Sequence, residues 1–251
     1  MFQIFKDIFK SKPKVRLHDF SEIGVDMHSH LIPGIDDGSQ SNEESLEMIS
    51  ALHQFGFQKL ITTPHIMSGG YDNTTAIISE GRDKLATYLR SKGEEIQIER
   101  SAEYYLDGHF EKLIEEKNLM PFGNNHILFE LSYMFRPTNI EKIVFELNME
   151  GYKPILAHPE RYNYLGDNEL KQLKKVKDSG MYFQLNLFSL GGAYGPSAKQ
   201  LGEKLIQEKM IDFVGTDIHK PAQLRYLEEL LSNPHLYKLI DQGKLLNKSL
   251  I

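Results

Sequence analysis

The stretch Ile23-Gly24-Val25-Asp26-Met27-His28-Ser29-His30 joins a short apolar segment to a pair of histidines. Residues 23–27 have the length and apolar character of a buried β-strand. In a regular strand, residues i and i+2 point to the same face, so both imidazoles can reach one metal ion. A single His-x-His pair is only a weak sign of metal binding. Its weight depends on whether other strands end in the same way.

Six further segments have strand character, and segments with helical patterns separate them. The first helix is predicted after Ser41-Asn42-Glu43-Glu44, a plausible capping box with an apolar stripe behind it. Alternating strands and helices indicate a parallel α/β fold, and seven strands on 251 residues suggest barrel-like closure in one domain. A doubly wound open sheet is the alternative. The predicted strands cover residues 23–27, 59–63, 96–103, 127–131, 154–157, 182–187 and 213–216, and the later helices cover 74–92, 110–116, 140–150, 168–179, 197–208 and 223–231.

Imidazoles and carboxylates stand where six of the predicted strands end. In parallel α/β folds the carboxyl ends of the strands share one face, which is where active sites form. Glu103 and Glu130 follow apolar runs, and a buried carboxylate is costly unless it is paired or bound to a metal. A structural ion pair is the plain interpretation of each one alone, whereas the pattern as a whole predicts a metal site. The residues that carry the pattern are His28, His30, His65, Glu103, Glu130, His158, Asp217 and His219.

The loop after the first strand adds two acids, Asp36 and Asp37, of which one is predicted to bend back over the metal site. The alternative is turn chemistry, because Asp-Gly is a common turn pair. Asn186 ends the sixth strand, and the glycines of residues 191–195 are too loosely spaced for a phosphate-binding fingerprint, so a mobile lid is an equal possibility. The other histidines lack a strand-end partner and are expected to have structural roles; they are His18, His53, His109, His126 and His235.

Composition excludes several classes of mechanism and partner. The net charge of −6 gives no bulk attraction to nucleic acid or anionic membrane, so a phosphate substrate needs a local positive site such as bound metal ions. The absence of cysteine excludes disulfides, thiolate ligands and a phosphocysteine intermediate, and it fits a cytoplasmic protein. Imidazole and carboxylate ligands suit Mn, Fe or Zn.

The first ten residues form a short amphipathic segment with interleaved lysines. It lacks the apolar stretch and cleavage site of a signal peptide, and no run in the chain is long enough to span a bilayer. We predict a surface helix packed on the domain, with peripheral membrane contact as the alternative.

At these residues the chain resembles the PHP superfamily (polymerase and histidinol phosphatase). Within it, residues 28–39 and 42–47 are similar to the opening signature of bacterial manganese-dependent protein-tyrosine phosphatases of capsule and exopolysaccharide operons. The resemblance extends from about residue 23 to past His219, which is most of the chain. The matching pieces are Asp26-Met27-His28-Ser29-His30, Thr63-Pro64-His65, Glu103, Glu130, His158-Pro159-Glu160-Arg161 and Thr216-Asp217-Ile218-His219.

The resemblance implies a distorted seven-stranded β/α barrel over residues 23–251, preceded by an extension over residues 1–22. It also implies three metal ions, with Mn expected and Fe or Zn possible. Asp37 and Glu130 stand where some PHP proteins have histidine, and they fit the tyrosine phosphatase branch better than the histidinol phosphatase branch. The implied ligands are His28, His30, Glu103 and Asp217 for one ion; Glu103, Glu130 and His158 for the second; and Asp37, His65 and His219 for the third.

The expected activity is hydrolysis of phosphotyrosine, with a bacterial tyrosine kinase of capsule or exopolysaccharide synthesis as the expected substrate. Arg161 can present its planar fork to the phosphate oxygens, with a structural ion pair as the alternative, and Arg225 is a weaker second phosphate ligand. One rival is a histidinol-phosphate or other small-molecule phosphoesterase. Another is a non-catalytic, metal-stabilised module that binds a kinase, which the intact ligand set disfavours. A nucleic-acid substrate is disfavoured by the acidic chain, and a homo-oligomer stays open.

Overall fold

The protein is described by a computed structural model that covers residues 16–167 and 169–251. The surface helix predicted within residues 1–10 lies outside the described residues. Strands and helices alternate along most of the chain. The strands are β1 (Val25–Asp26), β2 (Lys59–Thr62), β3 (His65–Ile66), β4 (Gln97–Arg100), β5 (Glu103–Tyr105), β6 (His126–Glu130), β7 (Lys153–Ala157), β8 (Tyr182–Asn186) and β9 (Phe213–Gly215).

The helices begin and end close to the predicted positions, because local capping chemistry sets several of their first turns. Ser41 caps the first helix by accepting a hydrogen bond from the Glu44 N–H, while the Glu44 carboxylate accepts from Gln40 N–H. Two helices of the described residues were not predicted, namely the four-residue α6 and α9 near the end of the chain. The helices are α1 (Asn42–Gln54), α2 (Thr75–Ser91), α3 (Gly108–Glu115), α4 (Ile140–Met149), α5 (Lys171–Asp178), α6 (Leu187–Leu190), α7 (Gly195–Gln207), α8 (Arg225–Leu230) and α9 (Pro234–Asp241).

All the paired strands run parallel and form two sheets, β1-β2-β4 and β3-β5-β6-β7-β8-β9. The predicted parallel α/β class is therefore confirmed. The segments that follow β1 and β9 also meet, through a parallel bridge between Ser29 and Ile218. The described strands thus bring the two ends of the strand order next to each other.

The number of separate strands differs from the prediction. Within the described residues nine strands stand in place of seven, because the short strand β3 follows the second predicted strand and the third predicted strand is interrupted at residues 101–102. Pro64, which has no N–H for a ladder bond, separates β2 from β3. Ser101 and Ala102 separate β4 from β5, and the Glu103 N–H then bonds to the carbonyls of Thr63 and Pro64. The two interruptions fall at the same level and divide one strand layer into two sheets.

The apolar core lies on both faces of the strands. On β6, Ile127 and Phe129 belong to the large cluster under the helices, whereas Leu128 belongs to a smaller cluster on the opposite face. Alternation with a period of two explains this division, since neighbouring strand residues point to opposite faces. Phe122 and Leu250 complete the smaller cluster at the end of the strands away from the candidate ligands.

The chain from Leu17 onward packs on this core. The Leu17 N–H bonds to the Leu231 carbonyl, and Phe20 is buried against Phe55 and Phe57. Residues 17–22 are therefore joined to the domain by main-chain and aromatic contacts. None of the helices formed by residues 16–167 and 169–251 combines the length and hydrophobicity that a membrane-spanning helix needs.

His126, at the start of β6, gives the fold a pH-dependent stability. Its ring lies edge-on to Tyr182 and Phe213, and burial lowers its pKa to about 4. An unfolded histidine titrates near pH 6.5, so between these values the unfolded chain binds more protons and stability falls as the pH falls. We expect His126→Phe to remove about 1 to 2 kcal/mol of the stability loss between pH 7 and pH 5.

Urea unfolding of chelator-treated protein at the two pH values measures this difference. His109→Gln is the matched control, because His109 is exposed on α3. An acid-induced loss that is equal in the wild type and His126→Phe would show that His126 does not cause it.

Candidate metal centre

The carboxyl ends of the strands and the loops after them place the predicted site residues on one face of the molecule. Register explains part of the convergence, because His65 on β3 pairs with Glu103 on β5, and Tyr105 pairs with Glu130 on β6. Segments after β1, β7 and β9 supply the rest. Eight residues arrive in this way: His28, His30, His65, Glu103, Glu130, His158, Asp217 and His219.

Glu103 lies at the centre of the group. Its Oε2 is 3.1 Å from His28 Nε2, 3.4 Å from His30 Nε2 and 3.2 Å from His65 Nδ1. Its other oxygen, Oε1, is 3.0 Å from His158 Nε2. A single buried carboxylate therefore faces four imidazoles, three at Oε2 and His158 at Oε1.

Asp217 divides its two oxygens between different partners. Oδ1 is 3.2 Å from His28 Nε2 and 3.3 Å from His30 Nε2. Oδ2 accepts hydrogen bonds from Arg161 at 2.8 Å and from the Asn186 amide at 2.9 Å. One oxygen is thus held on the protein side, and the other is directed at the histidine pair.

Asp37 closes the outer side of the cluster from the loop after β1. Its Oδ1 is 3.5 Å from both His65 Nε2 and His219 Nε2, and its side chain is half exposed. Glu130 lies on the other side, with Oε1 3.3 Å from His65 Nδ1. His65 therefore stands between an outer and an inner carboxylate.

In the part of the chain that the structure describes, three groups of side chains have ligand atoms close enough together to hold a metal ion. The first equals the set implied for one ion, and the second contains the set implied for another ion together with His30. In the third, His65 stands where the resemblance implied His158, which lies on the other oxygen of Glu103. The groups are His28, His30, Glu103 and Asp217; His30, Asp37, His65 and His219; and His65, Glu103 and Glu130.

The polar atoms that lack partners are the strongest structural sign of a cation site. Among the described residues, buried Glu103 Oε2, Asp217 Oδ1 and His65 Nδ1 form no hydrogen bond. A buried polar atom without a partner costs about 1 to 3 kcal/mol, and more when it is charged. These atoms all point into the same cluster. A positive ion there would remove the cost at every one of them.

The pKa values of the clustered groups are shifted by burial and by one another's charges. Burial alone would raise the pKa of Glu103, but His28, His65 and a hydrogen bond from His158 hold it well below its usual range. Burial and the nearby Arg161 charge lower the pKa of His158, which keeps that imidazole neutral. Burial would also lower the pKa of His28, yet the facing carboxylates outweigh it and raise that pKa to about 9. Metal binding at His28 would therefore displace a proton.

Two glycines and two strained residues fix the ligand positions. A Cβ on Gly38 would lie 2.4 Å from the His30 side chain, and one on Gly215 would lie 2.6 Å from that of His28. His158 and Asp217 adopt the left-handed region, with φ of 34° and 52°. This conformation costs a residue other than glycine about 1 kcal/mol or more, and such strain is common at functional sites.

Hydrogen bonds at Nδ1 orient the imidazoles of His28 and His30. Asp36 Oδ2 is 2.8 Å from His30 Nδ1, and Gln184 Oε1 is 2.9 Å from His28 Nδ1. Each bond directs the ring's Nε2 toward the carboxylates, which is the usual role of a partner on the far nitrogen. Gln184 was missed by sequence reasoning, although its position on β8, two residues before Asn186, places it on the same face of the strand.

Arg161 lies beside the cluster, and Arg225 lies outside it. The Arg161 guanidinium is held between the rings of Tyr133 and Tyr194, 4.8 and 4.1 Å from their centroids, while it donates to Asp217. Arg225 is exposed on α8 and donates to the Tyr226 hydroxyl. The ion pair weighed as an alternative for Arg161 is present, and its partner is a candidate ligand.

The remaining sequence features have structural surroundings. His53 is exposed on α1 and bonds to Glu94, and Asn186 caps α6 as well as holding Asp217. Residues 191–195, weighed as a mobile lid, form the turn between α6 and α7, and Tyr194 within it stacks on Arg161.

The chain is similar in sequence to several known proteins. Residues 24–228 match the sequence profile of the family described as capsular polysaccharide synthesis, CpsB/CapC. The chain is 29% identical over 196 residues to tyrosine-protein phosphatase YwqE of Bacillus subtilis, covering 78% of this chain and 77% of YwqE. It is 26% identical over 222 residues to the putative tyrosine-protein phosphatase CapC of Staphylococcus aureus, covering 85% and 84%.

A solved structure gives the same relationship in three dimensions. It comes from work describing YwqE from Bacillus subtilis and CpsB from Streptococcus pneumoniae as metal-dependent tyrosine phosphatases. It superimposes with a TM-score of 0.75 at 27% identity, and the match covers 90% of this chain and 95% of that one.

Metal binding by the cluster can be tested without any substrate. We expect Mn²⁺ at about one hundred times its dissociation constant to stabilise the chelator-treated protein by about 2.7 kcal/mol. Glu103→Gln should lose most of that gain, because the central carboxylate becomes a neutral amide. Thermal melting of each protein with and without Mn²⁺ gives the gain independently of the variant's basal stability.

Glu94→Gln is the control, since Glu94 pairs with an exposed histidine, His53, at 2.8 Å outside the cluster. Equal Mn²⁺ gains in the wild type and Glu103→Gln would remove Glu103 from the metal centre.

Proposed function

Because the chain belongs to the CpsB/CapC family of capsular polysaccharide synthesis, we propose that it is a metal-dependent protein-tyrosine phosphatase. The observation that carries the proposal is the convergence of buried atoms of Glu103, Asp217 and His65 that form no hydrogen bond. The names of YwqE, CpsB and CapC supply the substrate class, since each is called a tyrosine-protein phosphatase, CapC putatively. A tyrosine kinase that controls capsule or exopolysaccharide synthesis is the proposed protein substrate.

The residues at the strand ends fit a multinuclear metal centre. His28, His30, Glu103 and Asp217 would hold one ion, and Asp37, His65 and His219 would hold another. A third would lie against Glu103, Glu130 and His158, with His65 close enough to share. The mixture of imidazole and carboxylate suits Mn, Fe or Zn, and the resemblance to manganese-dependent phosphatases favours Mn among them. Bound metal ions would neutralise phosphate charge and lower the pKa of a bound water.

Residues of the chain itself prepare the site for a phosphomonoester. Asp36 and Gln184 orient the imidazoles of His30 and His28, so the ligand nitrogens face the centre without a change of rotamer. Arg161 donates through one nitrogen to Asp217, and its planar fork has further N–H groups for phosphate oxygens. One side chain can thus hold a metal ligand and bind the substrate's charge. Arg225 stays a weaker proposal for a second phosphate contact.

The proposed architecture is the distorted barrel that the resemblance implies. Seven strand positions result when β2 with β3 and β4 with β5 are each counted as one interrupted strand. The Ser29–Ile218 bridge and the small apolar cluster enclosed by the strands support closure. We place the phosphatase domain at residues 23–251, and the contacts of Phe20 extend its packed body toward Leu17.

A panel of phosphoesters tests the proposed activity directly. We expect the protein to hydrolyse a phosphotyrosine peptide with Mn²⁺, to lose that activity in excess chelator, and to recover it better with Mn²⁺ than with Mg²⁺. The reason is that imidazole ligands favour a transition metal over a hard ion that prefers oxygen. Release of inorganic phosphate measures each reaction, with histidinol phosphate as the comparison substrate.

Full activity in chelator, with metal loss verified, would contradict the multinuclear mechanism. Preferential hydrolysis of histidinol phosphate would contradict the substrate assignment and favour the small-molecule alternative.

Arg161→Lys tests the phosphate-binding role while keeping the charge. Lysine lacks the planar fork and cannot stack between Tyr133 and Tyr194 in the same way, so we expect kcat/KM to fall about tenfold or more. Kinetics, melting and metal content are measured on the same sample. Arg136→Lys is the control, because Arg136 forms an ion pair with Glu141 outside the cluster.

Normal kinetics with a lowered melting temperature would leave Arg161 with only the structural ion pair. Impaired kinetics with unchanged melting and metal content supports phosphate binding.

A further inference from the structure

A groove leaves the candidate metal centre along the surface. A cleft of about 320 Å³ begins at Arg161 between Tyr133 and Tyr194. A second cleft, of about 410 Å³, continues from it, because Asn163 and Ser197 line both. We call the two clefts together the α7 groove.

The near end of the α7 groove is in direct contact with the site. Arg161, which lines the groove, donates to Asp217 at 2.8 Å. The Tyr133 ring, on the same wall, stacks on the His158 imidazole with 5.9 Å between ring centroids. A chain that lies over Arg161 therefore reaches the candidate ligands without crossing another element.

The walls of the groove are the loop at residues 163–167 and the first turns of α7. The loop and the helix approach closely at Gly166, where a Cβ would lie 3.0 Å from a Leu201 side-chain carbon. From Ser197 to the far end at Lys204 the helix rises by about 10 Å. That length matches about three residues of extended polypeptide.

The polar groups of the groove suit a peptide main chain. Asn163 and Gln200 are exposed, and within residues 16–167 and 169–251 their side-chain amides form no hydrogen bond. Each amide offers two donor hydrogens and one acceptor, the complement of the N–H and C=O that every peptide unit presents. These two amides are uncharged and can hold a main chain without requiring particular side chains, while Arg161, Asp167 and Lys204 also line the groove.

We propose that the α7 groove binds the segment of protein substrate that flanks the phosphotyrosine, in extended conformation. This inference rests on the proposed phosphatase function and goes further by naming the surface that distinguishes a protein from a small phosphoester. Arg161 marks the point where the flanking segment gives way to the phosphorylated side chain. The occupant is a polypeptide, because a small phosphoester leaves most of the groove unfilled.

The test compares substrates that do and do not enter the groove. The short substrate is p-nitrophenyl phosphate, and the long one is a phosphotyrosine peptide with four residues on each side. We expect Ser197→Trp and Gln200→Trp, which fill the groove, to lower the ratio of peptide kcat/KM to p-nitrophenyl phosphate kcat/KM about tenfold. Gln207→Trp is the matched control, because Gln207 is exposed at the end of the same helix and does not line the groove.

A second variant separates hydrogen bonding from obstruction. Asn163→Ala removes donors and an acceptor without adding bulk, and we expect the same ratio to fall about threefold to tenfold. Peptides truncated on one side then identify which flank occupies the groove, since only that truncation should abolish the difference between wild type and variants.

Unchanged ratios in all three groove variants would overturn the proposal. So would a ratio that falls equally in Gln207→Trp, because the effect would then not belong to the groove. Failure of the proposed function has a different signature, namely a wild-type protein that hydrolyses neither substrate with Mn²⁺, and it would overturn both proposals together.

Discussion

The Glu103 carboxylate, buried among four imidazoles, is the interaction on which the rest of the structure depends. An isolated charge at that depth would be strongly unfavourable, so the fold must bring compensating groups to it from several strands. Parallel strands do this efficiently, because their carboxyl ends meet on one face. The interruptions after Thr62 and Arg100 lie beside Glu103 and let β3 and β5 turn toward the centre. Local irregularity in the sheets is thus part of how the site is assembled.

The convergence of the candidate ligands and the fold class could be predicted from the sequence because both depend on short-range patterns. Apolar runs of strand length, each followed by histidine or acid, are visible at His28, Glu130 and Asp217. The strand interruptions were not predicted, since Pro64 entered the sequence analysis only within the motif Thr63-Pro64-His65 and not as a strand boundary. The hydrogen bond from Gln184 to His28 joins residues 156 positions apart and depends on the order of strands. Contacts of this kind follow from packing, which a local pattern does not contain.

Arg161 connects the different parts of the site. Its position three residues after His158 suggests a role at the phosphate, but no local pattern predicts Tyr133 and Tyr194 on its two faces. The rings come from a loop after β6 and from the turn before α7, and they hold the guanidinium while Asp217 takes one of its donors. The same side chain therefore borders the candidate ligand cluster, the proposed phosphate position and the α7 groove. A change in any one of these three regions is therefore expected to affect the other two.

The left-handed backbone at Asp217 has a consequence for how the protein can change. Glycine adopts that conformation at lower cost, but it would leave the Arg161 guanidinium and the His28–His30 pair without their carboxylate. Breaking a buried ion pair costs about 3 to 5 kcal/mol, whereas the left-handed strain is about 1 to 2 kcal/mol. Random variants selected for heat resistance alone are therefore expected to keep this acid.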